Sequence, residues 1–237
     1  MSVALASQLR EGTKKAHTMA ENTGFVSCFL KGVVDKASYR TLVADLYFVY
    51  SAMEEELARL RSHPVVGPVA FPELNRRETL EQDLAYYFGP DWRSSVKATP
   101  AAQEYVARLH QVAQESPELL VGHHYTRYIG DLSGGQILKN IAQKAMNLGD
   151  HDGLRFYEFD AIPDEKAFKV NYRATLDALP IDQATADRIV AEANHAFHLN
   201  MKMFQELEGN LIAAIGKVLF GFLTRRQRTG STEAVAA

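Results

Sequence analysis

Three glycines interrupt what otherwise reads as one helical run. After Pro117 the chain places Leu119, Leu120, Tyr125, Tyr128, Ile129, Leu132 and Leu138 at helical spacing, until Gly149 offers a stop. Ser116, Pro117 and Glu118 read as a cap, a first-turn proline and an early acid. Gly130, Gly134 and Gly135 stand in the middle. Each gives up roughly 1 kcal/mol against alanine in a helix interior, so the trio forgoes on the order of 3 kcal/mol. Gly130 and Gly134, four residues apart, share a face, and Asp131 is the one carboxylate between them. Two arrangements make use of a helix without side chains: tight packing on another helix, or close approach of the backbone to a flat ligand. Spacing alone leaves both open.

The remaining pattern is helical. Leu5, Leu9, Thr13, Ala16 and Ala20 define a first helix over 3–20, and a short one covers Phe25–Lys31. Ser38 is the expected cap of a long helix through Arg61, with Glu54 to Glu56 on a solvated face. Residues 64–75 read as loop. Further helices are expected over Glu78–Phe88, from Thr99 to Ala113, from Asp164 to Ala178, and from the Asp182 cap to about Arg225. Asp150 to Pro163 reads as a loop with a short extended piece at Phe156–Phe159. The expected fold is all-α, a single domain of about eight helices over 1–225, followed by a disordered tail over 226–237.

Composition narrows the function classes. With 237 residues and 46% hydrophobic content, the chain can bury one sizeable core. Its net charge of −3 gives no global basic field, so no nucleic-acid partner is expected. Cys28 is the only cysteine, which excludes a disulfide framework and a cysteine metal site and fits a reducing compartment. No apolar run reaches the ~18 residues of a membrane span, so no membrane anchor is expected. A cytoplasmic location follows, or the plastid stroma if the source is an alga.

The histidines separate by surroundings. His63, His110, His123 and His151 lie among loops or polar residues and read as surface groups. Glu192 and His195 have the spacing of a di-iron bundle motif, but no second copy occurs. His124 borders the glycine stretch without further marks. His17 is flanked at helical spacing by Thr13, Ala16, Ala20 and Gly24, all small. It is either a satisfied half-buried histidine or one with room for a planar group beside it. Glu21, one turn on, can accept from a ring nitrogen and fix its tautomer.

The run from Thr13 to Asn22 and the run from Tyr125 to Gly135 closely resemble the haem oxygenase family. Phe71–Leu74, Leu80–Leu84, Tyr172 with Arg173, and Ala196–Asn200 match it as well. The resemblance spans residues 5 to about 215 in order, and is strongest to the soluble cyanobacterial and algal members. It implies haem b as both substrate and prosthetic group, lying between the first helix and a kinked glycine helix. The implied reaction opens haem at the α-meso carbon to biliverdin, carbon monoxide and ferrous iron, using O2 and external electrons. A haem carrier or sensor of the same fold, and a ligand-free helical scaffold, are the rival classes.

The resemblance also implies roles. His17 corresponds to the proximal iron ligand. Gly130 and Gly134 back the distal face, Gly135 permits the kink, and Asp131 corresponds to the distal carboxylate that orders water. Arg10, Lys14, Tyr125, Lys169 and Arg173 are the implied contacts of the two haem carboxylates. Tyr50, Arg127, Phe197, Asn200 and Phe204 fall at pocket or water-network positions. The chain carries no dinucleotide fingerprint, flavin motif or cysteine cluster, so its electrons come from a partner. Ferredoxin is the expected donor, meeting a basic patch of Arg10, Lys14, Lys15, Lys169 and Arg173, and a bilin reductase is the expected downstream partner.

Overall fold

The computed structural model describes residues 3–228, all helix and connecting loop with no strand among them. The α-helices are α1 Leu5–Glu21, α2 Gly24–Leu30, α3 Lys36–Arg59, α4 Arg77–Phe88, α5 Trp92–Ser95, α6 Pro100–Glu115, α7 Leu120–His124, α8 Gly130–Met146, α9 Glu165–Asp177 and α10 Gln183–Arg228. Helix α10 is the common neighbour, with α1, α2, α3, α6 and α7 all packed on it. It continues past Arg225, and residues 229–237 of the expected tail lie outside the described residues.

The periodic positions are the buried ones. Helix α1 buries Leu5, Leu9, Thr13, Ala16 and Ala20. Helix α3 buries Leu42, Val43, Leu46, Val49, Tyr50 and Met53. Three helix ends differ from expectation. Asp35, not Ser38, caps α3, its carboxylate accepting from the Ser38 N–H at 2.9 Å. Ser116 makes no side-chain cap, and Pro117–Leu119 forms a 3-10 turn before α7. Asn147 ends α8 at φ 51°, two residues before Gly149, because asparagine tolerates the left-handed region.

The expected extended piece at Phe156–Phe159 is instead a 3-10 turn over Arg155–Tyr157, held by Asp83, which accepts from the Arg155 and Phe156 N–H groups at 2.8 Å each. Of the acids at the end of α3, Glu55 is exposed as expected, but its two neighbours are not solvated. Glu56 is buried between Arg59 and His110, and Glu54 accepts from the backbone N–H groups of Arg76 and Arg77 at the start of α4.

One contact fixes the helix ahead of the glycine stretch. A Cβ on Gly122 would lie 2.7 Å from the Ile189 carbonyl oxygen and 2.9 Å from the Ala193 nitrogen, so α7 meets α10 backbone to backbone. The next residue is a correction: His123 is fully buried, not on the surface. Its Nε2 lies 2.9 Å from Glu192 of α10. Arg108 of α6 grips the same carboxylate with Nε at 2.8 Å and Nη2 at 2.6 Å. Glu192 is thus consumed by a three-helix latch, and among the described residues no cluster of His, Cys, Asp and Glu could hold a metal ion.

Burial raises the Glu192 pKa, but the bonds from Arg108 and His123 outweigh it and hold the carboxyl at about 2, against 4.5 unperturbed. A depressed carboxyl pKa contributes stability above the unfolded value, and this is lost as pH falls through the folded value. Glu192→Gln should therefore destabilise the protein by about 2 kcal/mol at pH 7. In thermal melts the gap to wild type should close between pH 4.5 and 2. A gap that does not depend on pH would refute this account of the latch.

Candidate functional site

Helix α7 runs into α8 through a π-helical turn over Tyr125–Ile129. Such a turn inserts an extra residue without breaking the helix and re-aims the side chains around it. Gly130 and Gly134 follow it directly, and a Cβ built on either meets nothing within 4 Å. Gly135 differs. It is buried, and its Cβ would contact the Tyr157 ring at 3.4 Å. Gly130 and Gly134 therefore face open space, while the third glycine packs against the loop behind. The departure from α geometry lies at Tyr125–Ile129, a turn before the Gly135 position where the resemblance put the kink.

The space beside Gly130 is a cavity of about 420 Å³ between α1 and this helix, and Gly134 is not among its lining residues. Arg10, Thr13, Lys14, His17 and Thr18 line it from α1; Tyr125, Thr126, Ile129, Gly130 and Ser133 line it from the π turn and α8; Phe197 comes from α10. His17 is half exposed, with its ring edge-on to Phe197 at 5.7 Å and its Nδ1 3.7 Å from Glu21. A histidine placed this way, with a carboxylate near one nitrogen, can offer the other to a metal. The spacing of small residues on α1 is thus explained by two demands: Ala16 and Ala20 are buried, while His17 looks into the cavity.

Behind the glycines lies a buried polar group. The Tyr50 hydroxyl donates to Asp131 Oδ2. Arg127 Nη2 reaches both Asp131 oxygens at 3.3 and 3.4 Å, its Nη1 donates to Asn200 at 2.8 Å, and its Nε donates to the Tyr50 hydroxyl at 3.3 Å. Burial pushes the Asp131 carboxyl well above the usual carboxylate range and lowers Arg127 below the usual guanidinium range. Four sequence candidates, Tyr50, Arg127, Asp131 and Asn200, are therefore one network drawn from α3, the π turn, α8 and α10.

The basic candidates gather at the cavity mouth. Burial raises the Tyr125 phenol, and the nearby Arg173 and Arg10 charges oppose it, as does a hydrogen bond with Thr13. Helix α9, which carries Arg173 and Lys169, packs on α1, which carries Arg10 and Lys14. Lys169 is paired with Glu165 at 3.1 Å and does not line the cavity. The Phe204 ring stacks on Phe25 at 6.1 Å, where α2 packs on α10, and is not among the residues lining the cavity.

Sequence reasoning missed one further pair. His124 is buried, and its Nδ1 lies 2.7 Å from the Tyr172 hydroxyl. The two positions flank Tyr125 and Arg173 in the chain, and that adjacency was the available signal.

A family model described as Heme oxygenase matches residues 3–206. Heme oxygenase 1 of Synechocystis is 67% identical over 233 residues, covering 98% of this chain and 97% of that protein. Heme oxygenase 1 of Nostoc is 63% identical over 237 residues, covering 100% of each. The crystal structure of the Synechocystis heme oxygenase-1 in complex with heme superposes with a TM-score of 0.91 at 66% identity, covering 93% of this chain and 100% of that one.

Proposed function

The chain belongs to the haem oxygenase family, and from that premise we propose that the cavity between α1 and the glycine helix is where it holds haem, with His17 on one side and Gly130 and Gly134 on the other. It is a haem-degrading enzyme that opens haem to biliverdin with release of carbon monoxide and iron. Haem is both its substrate and its prosthetic group. The observation that supports this placement is the open face of α8. Gly130 presents bare backbone to a cavity whose opposite wall carries a half-exposed histidine, and Gly134 one turn on is equally uncovered. A flat ligand fits there, and a side chain at Gly130 would occupy its place.

Haem bound there supplies the iron that engages oxygen and the macrocycle that is oxidised. The residues do the rest. His17 would hold the iron through one ring nitrogen, with Glu21 beside the other. Gly130 and Gly134, with no side chains, would let a flat ligand lie close to the helix backbone and leave little room above it for anything but a small molecule. Asp131, held by Tyr50 and Arg127, places a polar group behind that space without projecting an acid into it. Water ordered by this network would relay protons. Tyr125, Arg10, Lys14 and Arg173 offer donors to the two carboxylates, with Lys169 adding positive charge. Gripping that edge would set the ring's rotation in the cavity, and so which meso carbon is presented, the α carbon on this reading.

Electrons come from outside. Arg10, Lys14, Lys15 and Arg173 are exposed on packed neighbours α1 and α9, a basic face beside the cavity mouth on a chain of net charge −3. An acidic one-electron carrier such as ferredoxin matches it, and the bilin product suits a downstream bilin reductase. The single cysteine agrees with a reducing compartment, the cytoplasm or an algal stroma. Among the described residues no helix is long and apolar enough to cross a membrane.

His17→Ala should lose the axial bond, shift the Soret band and abolish turnover, and added imidazole should restore part of the spectrum. An unchanged Soret band with full activity would remove His17 from the iron. Turnover with reduced ferredoxin should fall as salt rises, because screening reaches ~10 Å at 0.1 M. Lys15→Glu should weaken it without changing haem affinity. Rates indifferent to both salt and charge reversal would remove the docking face.

A further inference from the structure

His124 sits in a place that an apolar residue would fill more easily. It is buried, stacked nearly parallel on Tyr172 at 5.5 Å and tilted on Tyr128 at 4.5 Å. Its Nδ1 meets the Tyr172 hydroxyl at 2.7 Å, but its Nε2 is buried with no partner. Burial holds the imidazole neutral, pushing it down to about 3. A buried ring nitrogen without a partner is a standing cost. Two apolar side chains of similar volume would avoid it. What they could not supply is a directed bond between this helix and α9.

That bond joins two elements whose next residues, Tyr125 and Arg173, lie close enough to interact, with Tyr125 on the cavity wall. Tyr125 follows His124 and opens the π turn, with its phenol on the cavity wall. Arg173 follows Tyr172, and its charge is felt at that same phenol. Helix α9 otherwise packs on α1 and on the turn at Gly67–Val69, with Phe71 against the Tyr172 ring at 5.7 Å. The hydrogen bond between α9 and α1 lies at the far end of α9, where Asp177 accepts from the Ala6 N–H at 2.8 Å, and it does not hold the Tyr172–Arg173 turn. A 2.7 Å hydrogen bond between two buried, stacked rings does.

We propose that His124 and Tyr172 are a positioning pair, which sets the spacing between Tyr125 and Arg173 and so fixes the in-plane seating of the haem those two residues grip. The inference rests on the reading of Tyr125 and Arg173 as carboxylate contacts. Neither His124 nor Tyr172 touches the cavity, so neither is a catalytic residue. Their effect is on which meso carbon is presented, not on whether oxygen is activated.

The test compares full-length wild type with Tyr172→Phe, with the double variant His124→Leu/Tyr172→Phe, and with Arg173→Gln. Each is loaded with haem. The first readout is the haem-methyl proton NMR of the cyanide-bound ferric protein, which reports ring seating without turnover. The second is the ratio of biliverdin isomers, and the third is haem affinity by Soret titration. Tyr172→Phe should show a second set of methyl resonances and a second biliverdin isomer, with affinity reduced about fivefold, on the order of one buried hydrogen bond. The double variant leaves no unpartnered polar atom. It should recover any thermal stability lost in Tyr172→Phe yet keep the mixed seating. A double variant with one seating and one isomer would show the pair to be merely structural and overturn the proposal. Normal seating in both Tyr172 variants beside altered seating in Arg173→Gln would likewise overturn it, while leaving the carboxylate reading intact. Normal seating in all three would overturn that reading and the proposal together.

Discussion

A helix that presents bare backbone to a ligand loses packing on that face, so its position has to be held from the others. This constraint organises the molecule. Gly122 lets α7 touch α10 backbone to backbone, and the Arg108–Glu192–His123 latch sits one residue later. Arg127 ties the π turn to Asn200 of α10 and Tyr50 of α3. Gly135 seats the next turn against Tyr157. Between these anchors Gly130 and Gly134 are left clear. The glycines thus fall into two kinds. Gly122 and Gly135 bring protein surfaces together, and Gly130 and Gly134 keep a space open.

The polar network behind that space carries a comparable tension. Burying Asp131 and Arg127 costs both of them hydration, and their mutual attraction repays only part of it. A Leu–Leu pair would stabilise the helix more simply. The ionisable pair instead places a proton donor and acceptor one helix turn from the open face, held still by Tyr50 and Asn200. This is a polar group kept close to a reacting centre without being exposed in it, which suits controlled proton supply better than a free acid would.

Much of the fold was legible in the sequence because it depends on local pattern. The apolar spacing on α1 and α3 matched the buried residues, and the glycine trio marked the functional helix. What escaped depends on partners distant in the chain. Glu56 and His123 looked like surface groups because His110, and Arg108 with Glu192, supply compensation from distant parts of the chain. Phe204 lay at a matching position, yet Phe25 from a separate helix claims its ring. The Asp35 cap was missed because Ser38 is an equally good cap by type, and only the backbone angles decide between them. The resemblance supplied roles for His17 and Asp131 that spacing had left open. The π turn had no sequence signal, since its five residues are ordinary helix formers and aromatics.

The central claim is that Gly130 leaves its face bare for haem and not for protein packing. A Gly130→Leu variant tests it, with thermal unfolding of the haem-free protein and Soret titration measured side by side. Nothing lies within 4 Å of the added Cβ, and leucine is the better helix former by about 1 kcal/mol. The account therefore predicts a haem-free protein at least as stable as wild type, with haem affinity reduced by about 100-fold or more. A variant that is destabilised without haem, yet binds haem as wild type does, would contradict it.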